Sequence, residues 1–340
     1  MIQRKIYQLK AGNVKNLQMV EEQLFDPQGE EVLIAVEAIG LNFADVFAIW
    51  GLYSATPKGL FTPGLEYAGR VINTGSAVTR LKEGDRVMGV TRFGGYASHI
   101  CIDQRYLIPV PNDWTMEEGA AYLVQVLTAY YGLKELGNLK ENQNILIHSA
   151  AGGVGILANR IAKKYKAFTI GSVGNSSKVA FCKKEGYDQV IVRSAHFADD
   201  LRKALDGRPL HIVMECIGGK IFEAGFEALA PQGRSVVYGA ARYASPGDRP
   251  NYPKLLWKHI TRPKLDPQSL AEINKGVLGF NLIYLYEQAD LMHELLAQIA
   301  DLQIKKPHVG HTFSFDQLPN AIRLFQTGKT MGKIVVKVEH

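Results

Sequence analysis

Cysteine is scarce in this chain of 340 residues, which has three: Cys101, Cys182 and Cys216, far apart and odd in number. No Cys-x-x-Cys occurs, which excludes a disulfide framework and a zinc lobe built from thiolates. Reduced thiols and a cytoplasmic location are the expectation. Apolar runs are short as well. Nothing approaches the roughly 18 residues that a membrane-spanning helix needs. The opening stretch MIQRKIYQLK lacks the apolar centre of a signal peptide. Dense basic runs are missing too. A net charge of +6 from 39 Lys and Arg against 33 Asp and Glu is spread along the chain, so no nucleic-acid surface is expected. Repeats and low-complexity segments are likewise absent.

The residues present are those of an ordinary globular protein, 46% hydrophobic and 21% charged, and the length favours two domains. The first 120 or so residues are β-rich, with strand-like runs at Glu31–Glu37, Gly69–Ile72 and Asp85–Val90 punctuated by Gly and Pro. Glu117–Leu136 reads as one helix, opened by a capping box from Thr115 to Glu118. Alternation then sets in. Strands at 145–148, 168–173, 189–192, 211–215 and 234–238 are separated by helices at 153–165, from 177, at 197–205 and at 220–229. Strand, helix, strand at this spacing predicts βαβ units and a parallel sheet. Residues 241–270 read as a surface segment, Gly276–Tyr284 as a last strand, 290–302 as a helix and Gly332–Val338 as a closing strand.

The densest signal is His148-Ser-Ala-Ala-Gly-Gly-Val-Gly155 after the apolar run Ile145–Ile147. A strand entering a glycine-rich turn that opens a helix aims backbone N–H groups and the positive helix end at an anion. Ala150-x-Gly152-x-x-Gly155 departs from the dinucleotide fingerprint only at its first glycine. The acid that usually holds the ribose hydroxyls, about 20 residues on, is missing. In its place stand Gly174, Asn175, Ser176, Ser177 and Lys178. A 2′-phosphate repels a carboxylate and attracts Lys or Arg, so Lys178 and, at the end of the next strand, Arg193 predict NADPH rather than NADH. The competing reading of Lys178 is a solvated first-turn lysine.

Asn42-Phe-Ala-Asp45, Gly51-Leu-Tyr53, Pro63-Gly-Leu-Glu-Tyr-Ala-Gly69, Gly84-Asp-Arg-Val87, Gly94-Gly-Tyr-Ala97, Leu127-Thr-Ala129, the glycine turn and Gly332-Lys-Ile-Val335 lie in order along the chain. Together they resemble the medium-chain dehydrogenase/reductase superfamily, in its zinc-free quinone oxidoreductase (zeta-crystallin-like) branch. Leu265–Leu270 and Gly276–Asn281 are similar to its vesicle amine transport protein-like members. The resemblance implies an α/β protein. A GroES-like β-rich catalytic domain would come from residues 1–125 and 283–340, and a doubly wound Rossmann domain from 126–282. The cofactor would lie between them, against Thr128, Ala151, Gly152, Gly153, Val154, Gly174, Lys178, Arg193, Gly239 and Phe280. A homodimer joined through the edge of the nucleotide-binding sheet is also implied.

Matching the motifs to the zinc enzymes of the superfamily puts Asn42, Leu65 and Val124 where catalytic zinc ligands would stand. None offers a thiolate or imidazole, so no metal is expected. Alcohol oxidation is then disfavoured, while reduction of an electrophilic acceptor stays open. The candidate catalytic residues are Asn42, Asp45, Tyr53 and Thr128. Thr128 would lie near the nicotinamide, or else bond back along its helix. Asn42 would donate to cofactor or substrate oxygen, and Tyr53 to a developing enolate. Asp45 reads chiefly as a residue that fixes its loop. Phe47 and Ile49 replace a Tyr and an Arg common in the branch, and with Trp50 they predict an apolar pocket mouth and a hydrophobic electron acceptor. The Asn-x-x-Asp motif with Tyr53 also matches the superfamily's enoyl-thioester reductases, for whose CoA phosphates Lys58 and Arg92 are available. A third alternative is an NADPH-binding, vesicle-associated or crystallin-like protein with little turnover.

Overall fold

Near-continuous apolar strands form the centre of the fold, and a computed structural model describes them within all residues 1–340. Strands β1 (Ile2–Lys10), β2 (Gln18–Leu24), β3 (Glu31–Gly40), β4 (Leu60–Phe61), β5 (Glu66–Thr74), β6 (Arg86–Val90), β7 (His99–Asp103) and β8 (Leu107–Pro109) build the β-rich part. One short helix, α1 (Phe43–Ile49), lies among them. β2, β1 and β4 form a small antiparallel sheet, while β3, β5, β6, β7 and β8 belong to a seven-stranded one. The chain returns to that larger sheet at its far end. There β15 (Val309–Ser314) pairs with β16 (Lys333–Lys337), and β16 runs antiparallel to β3. Alternate residues of β3 and its neighbours turn inward to one core, with Ile34, Ile39, Trp50 and Tyr67 among its buried side chains.

The second layer system is a parallel sheet of β9 (Asn144–His148), β10 (Phe168–Val173), β11 (Gln189–Val192), β12 (Leu210–Glu215), β13 (Leu229–Val237) and β14 (Gly276–Gly279). Its order is β11-β10-β9-β12-β13-β14. The order reverses at β9 and β12, which opens a crevice at their carboxyl ends. Every residue of β9 is buried, as strands covered on both faces require. Between the strands lie α4 (Gly153–Lys164), α5 (Val179–Lys184), α6 (Phe197–Leu205) and α7 (Lys220–Glu227). In α6 the buried residues Phe197, Leu201 and Leu205 are four apart, one stripe of a helix, and each contributes about 1.5–3 kcal/mol by burial. α10 (Ala289–Asp301) sits between the two cores: Ala289 belongs to one, and Leu295 and Ile299 to the other. α11 (Leu318–Gln326) packs on the β-rich core. No helix is long and apolar enough to cross a membrane.

Three expected elements differ. The helix expected over 117–136 is two, α2 (Met116–Ala120) and α3 (Leu123–Tyr130), followed by a π-helical turn over Tyr131–Leu136. The break has a cause: a fresh helix start lets Val124 donate its N–H to the buried Glu66 carboxylate at 3.0 Å. The segment 241–270 contains α8 (Tyr252–Ile260), and α9 (Pro267–Ile273) follows it. Both have no buried residue, and the prolines at 246, 250, 253, 263 and 267 read as loop signals that masked them. The last strand stops at Gly279, where Phe280 and Asn281 turn into the crevice.

Candidate functional site

A cavity of about 590 Å³ lies between the two sheets. Its floor is the turn between β9 and α4. Here Gly155 is required by close packing: a Cβ on it would lie 2.6 Å from the Ser149 carbonyl oxygen and 2.8 Å from Ala150 Cα. A Cβ on Gly153 would lie 2.8 Å from Gln125 Oε1. The helix start carries no acidic residue in its first turn, so its dipole is left for a ligand anion. Gly332 donates its N–H to the Ala151 carbonyl at 2.8 Å and stitches the C-terminal tail to this turn.

The ten residues expected around a cofactor, Thr128, Ala151, Gly152, Gly153, Val154, Gly174, Lys178, Arg193, Gly239 and Phe280, all line this one cavity. Two behave differently from the expectation. The Lys178 ammonium is not a free surface charge. It donates to the carbonyls of Gly328 at 2.6 Å and Thr330 at 2.7 Å, and burial together with nearby Arg193 lowers its pKa. Arg193 is anchored on one side only, its Nη1 donating at 3.1 Å to both the carbonyl and the hydroxyl of Ser172. Burial likewise lowers its pKa.

The candidate catalytic residues divide. Tyr53 reaches the cavity, and its hydroxyl donates to Asn281 Oδ1 at 2.6 Å. Burial pushes its phenol up to about 12, against the opposing bond to Asn281. Thr128 also lines the cavity, with its hydroxyl donating back to the Val124 carbonyl at 2.6 Å. Asn42 lines it too, but its amide is committed elsewhere. Nδ2 donates to Glu66 Oε1 at 2.9 Å and to the Gly40 carbonyl at 3.3 Å. Its Oδ1 accepts from Gln125 at 2.7 Å and from Lys333 at 2.9 Å. Asn42 is thus a girder rather than a spare donor. Asp45 does not line the cavity. Its Oδ2 accepts the Asn42 N–H at 2.8 Å and the Tyr96 hydroxyl at 2.9 Å, which fixes the loop. Burial pushes Asp45 up to about 7, although those two donors and Lys333 oppose the shift.

Sequence reasoning missed the hub of this arrangement. Lys333 and Glu66 form a buried ion pair, with side chains 3% and 1% exposed. Burial lowers the Lys333 pKa and Glu66 opposes that shift. The Gly-Lys-Ile-Val motif and the Glu after Leu65 were visible as separate pieces, but their pairing is a long-range contact. Phe47, Ile49 and Trp50, expected at the pocket mouth, turn away from the cavity. Ile49 and Trp50 are core residues and Phe47 packs on Trp50 with ring centres 6.2 Å apart. The apolar wall comes instead from Phe43 and Phe325, whose ring centres are 5.4 Å apart, and from Leu291, Met292 and Leu295 on α10. Of the CoA-phosphate candidates, Arg92 lies 3.6 Å from Glu287 on the surface and Lys58 is exposed.

Asn42, Leu65 and Val124 all line the cavity. No group of three or more His, Cys, Asp or Glu side chains is placed to hold a metal ion.

A crevice at the switch point of a doubly wound sheet, closed by a β-rich domain to which the chain returns, defines a two-domain dehydrogenase/reductase. Comparison with known proteins agrees. Residues 28–112 match the alcohol dehydrogenase GroES-like domain, and residues 153–262 match the zinc-binding dehydrogenase family. The human synaptic vesicle membrane protein VAT-1 homolog is 32% identical over 314 residues, which is 91% of this chain and 79% of that protein. The Danio rerio homolog is also 32% identical, and the matched region spans 64% of its length. Among solved structures, a mycobacterial protein complexed with NADPH superposes with a TM-score of 0.85 at 26% identity, covering 98% of this chain and 99% of its own. A Pseudomonas syringae quinone oxidoreductase gives 0.83 at 27%, with the same coverage. CurK enoyl reductase gives 0.84 at 27%, covering 99% of each chain. The chain belongs to the medium-chain dehydrogenase/reductase superfamily, in its quinone oxidoreductase and VAT-1-like branch.

Proposed function

We propose that this protein is an NADPH-dependent reductase that passes hydride to a quinone or an α,β-unsaturated carbonyl without a metal. The observation that carries this reading is the makeup of one cavity. A glycine turn and two cations lie at one end, and an apolar wall with Asn42, Leu65 and Val124 at the zinc positions lies at the other.

The residues present fit NADPH. The α4 start opens on the cavity with no acidic side chain in its first turn, and Arg193 keeps Nη2 unbonded beside Gly174. Lys178 and Arg193 would hold a 2′-phosphate, and the α4 N-terminus the pyrophosphate. When bound, the reduced nicotinamide supplies a hydride. The protein's part is to orient, exclude water and move a proton. Phe43, Phe325 and the α10 side chains exclude water from an apolar acceptor. Tyr53, a phenol protonated at neutral pH that burial pushes up to about 12, turns its O–H from Asn281 to the acceptor oxygen as the electron pair arrives there. It then gives up its proton, which solvent replaces. The Glu66–Lys333 hub, through Asn42 and Gln125, holds α1 and α3 in place beside the reacting atoms.

The Tyr53–Asn281 pair favours a second reading, an enoyl-thioester reductase with Tyr53 as proton donor, and the likeness to CurK enoyl reductase supports it. Steady-state NADPH oxidation against quinones, enals and enoyl-CoAs decides between the readings. The first predicts the highest kcat/KM with bulky apolar quinones or enones, and the second with enoyl-CoAs. Tight NADPH binding with no consumption on any acceptor would instead support a nucleotide-binding protein with little turnover. A homodimer is part of the proposal. The outer edge of β14 has no strand partner, and such an edge is suited to pairing with a second copy.

A further inference from the structure

His148, Ser172 and Glu215 touch neither the hydride path nor the apolar wall, yet they are buried to 0%, 0% and 1% exposure at the heart of the parallel sheet. They lie in a line. The sheet order sets β11, β10, β9 and β12 side by side. Each offers one residue within one position of its carboxyl end: Arg193, Ser172, His148 and Glu215 respectively. Arg193 Nη1 donates to Ser172 Oγ at 3.1 Å, and that hydroxyl lies 2.6 Å from His148 Nδ1. Arginine has only donors, so the Ser172 hydroxyl accepts there, and its own proton and second lone pair both remain to bond Nδ1 in either tautomer. The other ring nitrogen, Nε2, faces Glu215 Oε2 at 3.2 Å, bent away from good hydrogen-bond alignment. Glu215 Oε1 accepts the N–H groups of Ile217 and Gly218 at the cavity mouth. Burial alone would raise the Glu215 pKa, but His148 and those two N–H groups outweigh it and hold the carboxyl below its usual range.

Such a line is costly in place of apolar side chains, and it ends on the one arginine at the adenosine end of the cavity. We propose that the buried line selects NADPH over NADH. It holds the Arg193 guanidinium with Nη1 turned into the sheet and Nη2 left for the 2′-phosphate, which makes Ser172 and His148 positioning residues for cofactor choice. The proposal rests on the NADPH reading above.

The test is fluorescence titration of the full chain with NADPH and with NADH. Ser172→Ala removes one hydroxyl and adds no volume. It weakens NADPH about tenfold, the scale of one misaimed charge-assisted hydrogen bond, and shifts NADH less than about twofold. His148→Leu gives the same pattern. His148→Gln, whose amide can accept from Ser172 and donate to Glu215, keeps the wild-type ratio. A merely structural role would weaken both nucleotides together. Equal weakening, or an unchanged ratio in folded Ser172→Ala and His148→Leu, overturns the proposal. Should Ser172→Ala fail to fold, the two His148 variants carry the test. A wild-type protein that binds NADH as tightly as NADPH would defeat the underlying NADPH reading instead.

Discussion

Replacing Lys333 with Met breaks the hub on which the loop of Asn42 and Asp45 rests. Lys333 and Glu66 are both nearly inaccessible, so the change leaves a carboxylate buried without its cation. Breaking a buried pair in this way costs about 3–5 kcal/mol. Glu66 keeps three donors, from Asn42, Gln125 and the Val124 N–H, which places the cost at the lower end, about 3 kcal/mol. For a domain of this size each kcal/mol shifts Tm by roughly 2–4 °C, so the melting point falls by about 6–12 °C. The assay is thermal unfolding followed by near-ultraviolet circular dichroism at fixed protein concentration. The double variant Glu66→Gln/Lys333→Met replaces both charges with neutral groups of similar shape and recovers at least half of the loss. A single variant within about 2 °C of wild type would refute the reasoning. So would a double variant that melts as low as the summed single losses predict.

Asp45 gives a pH signature. Its folded value near 7 lies above the roughly 3.9 of an unfolded chain. Between these values the native state holds a proton that the unfolded chain has released. The stabilisation is therefore full below about pH 4 and is lost as pH rises through about 7. Asp45→Asn does not lose it, so the Tm difference between variant and wild type moves in the variant's favour from about pH 5 to about pH 8; a constant difference contradicts this. Tyr53→Phe lowers turnover of quinones, enones and enoyl-thioesters about 10²-fold, and near-normal turnover on every acceptor would exclude a proton-donor role. Lys178→Ala weakens NADPH about tenfold in a binding titration with little change for NADH; equal weakening would make Lys178 a domain latch alone.

Local patterns in this chain were readable in proportion to how much of their physics is local. The turn at 148–155 announces itself because strand, glycines and helix are adjacent, and the residues it implied line one cavity. The parallel sheet follows from βαβ spacing, while its doubly wound form was legible only through the resemblance. What escaped depends on contacts between distant residues. Lys333 and Glu66 are 267 positions apart, and neither motif predicts the other. Asn42 looked like a substrate donor, but Glu66, Gly40, Gln125 and Lys333 occupy its amide. Phe47 and Trp50 looked like pocket residues because helix position alone does not say which face of α1 meets the core. α8 was missed because prolines at 246, 250, 253 and 263 surround and enter it, although Tyr252, Leu256 and Ile260 stand at helical spacing and are exposed.

The central claim is hydride transfer from NADPH at a cavity that needs no metal. Its most direct test is NADPH oxidation by protein dialysed exhaustively against a chelator, with a bulky quinone and an enone as acceptors and zinc added back. The account predicts full activity after dialysis and no gain on zinc addition. Activity lost with the chelator and restored by zinc would contradict it.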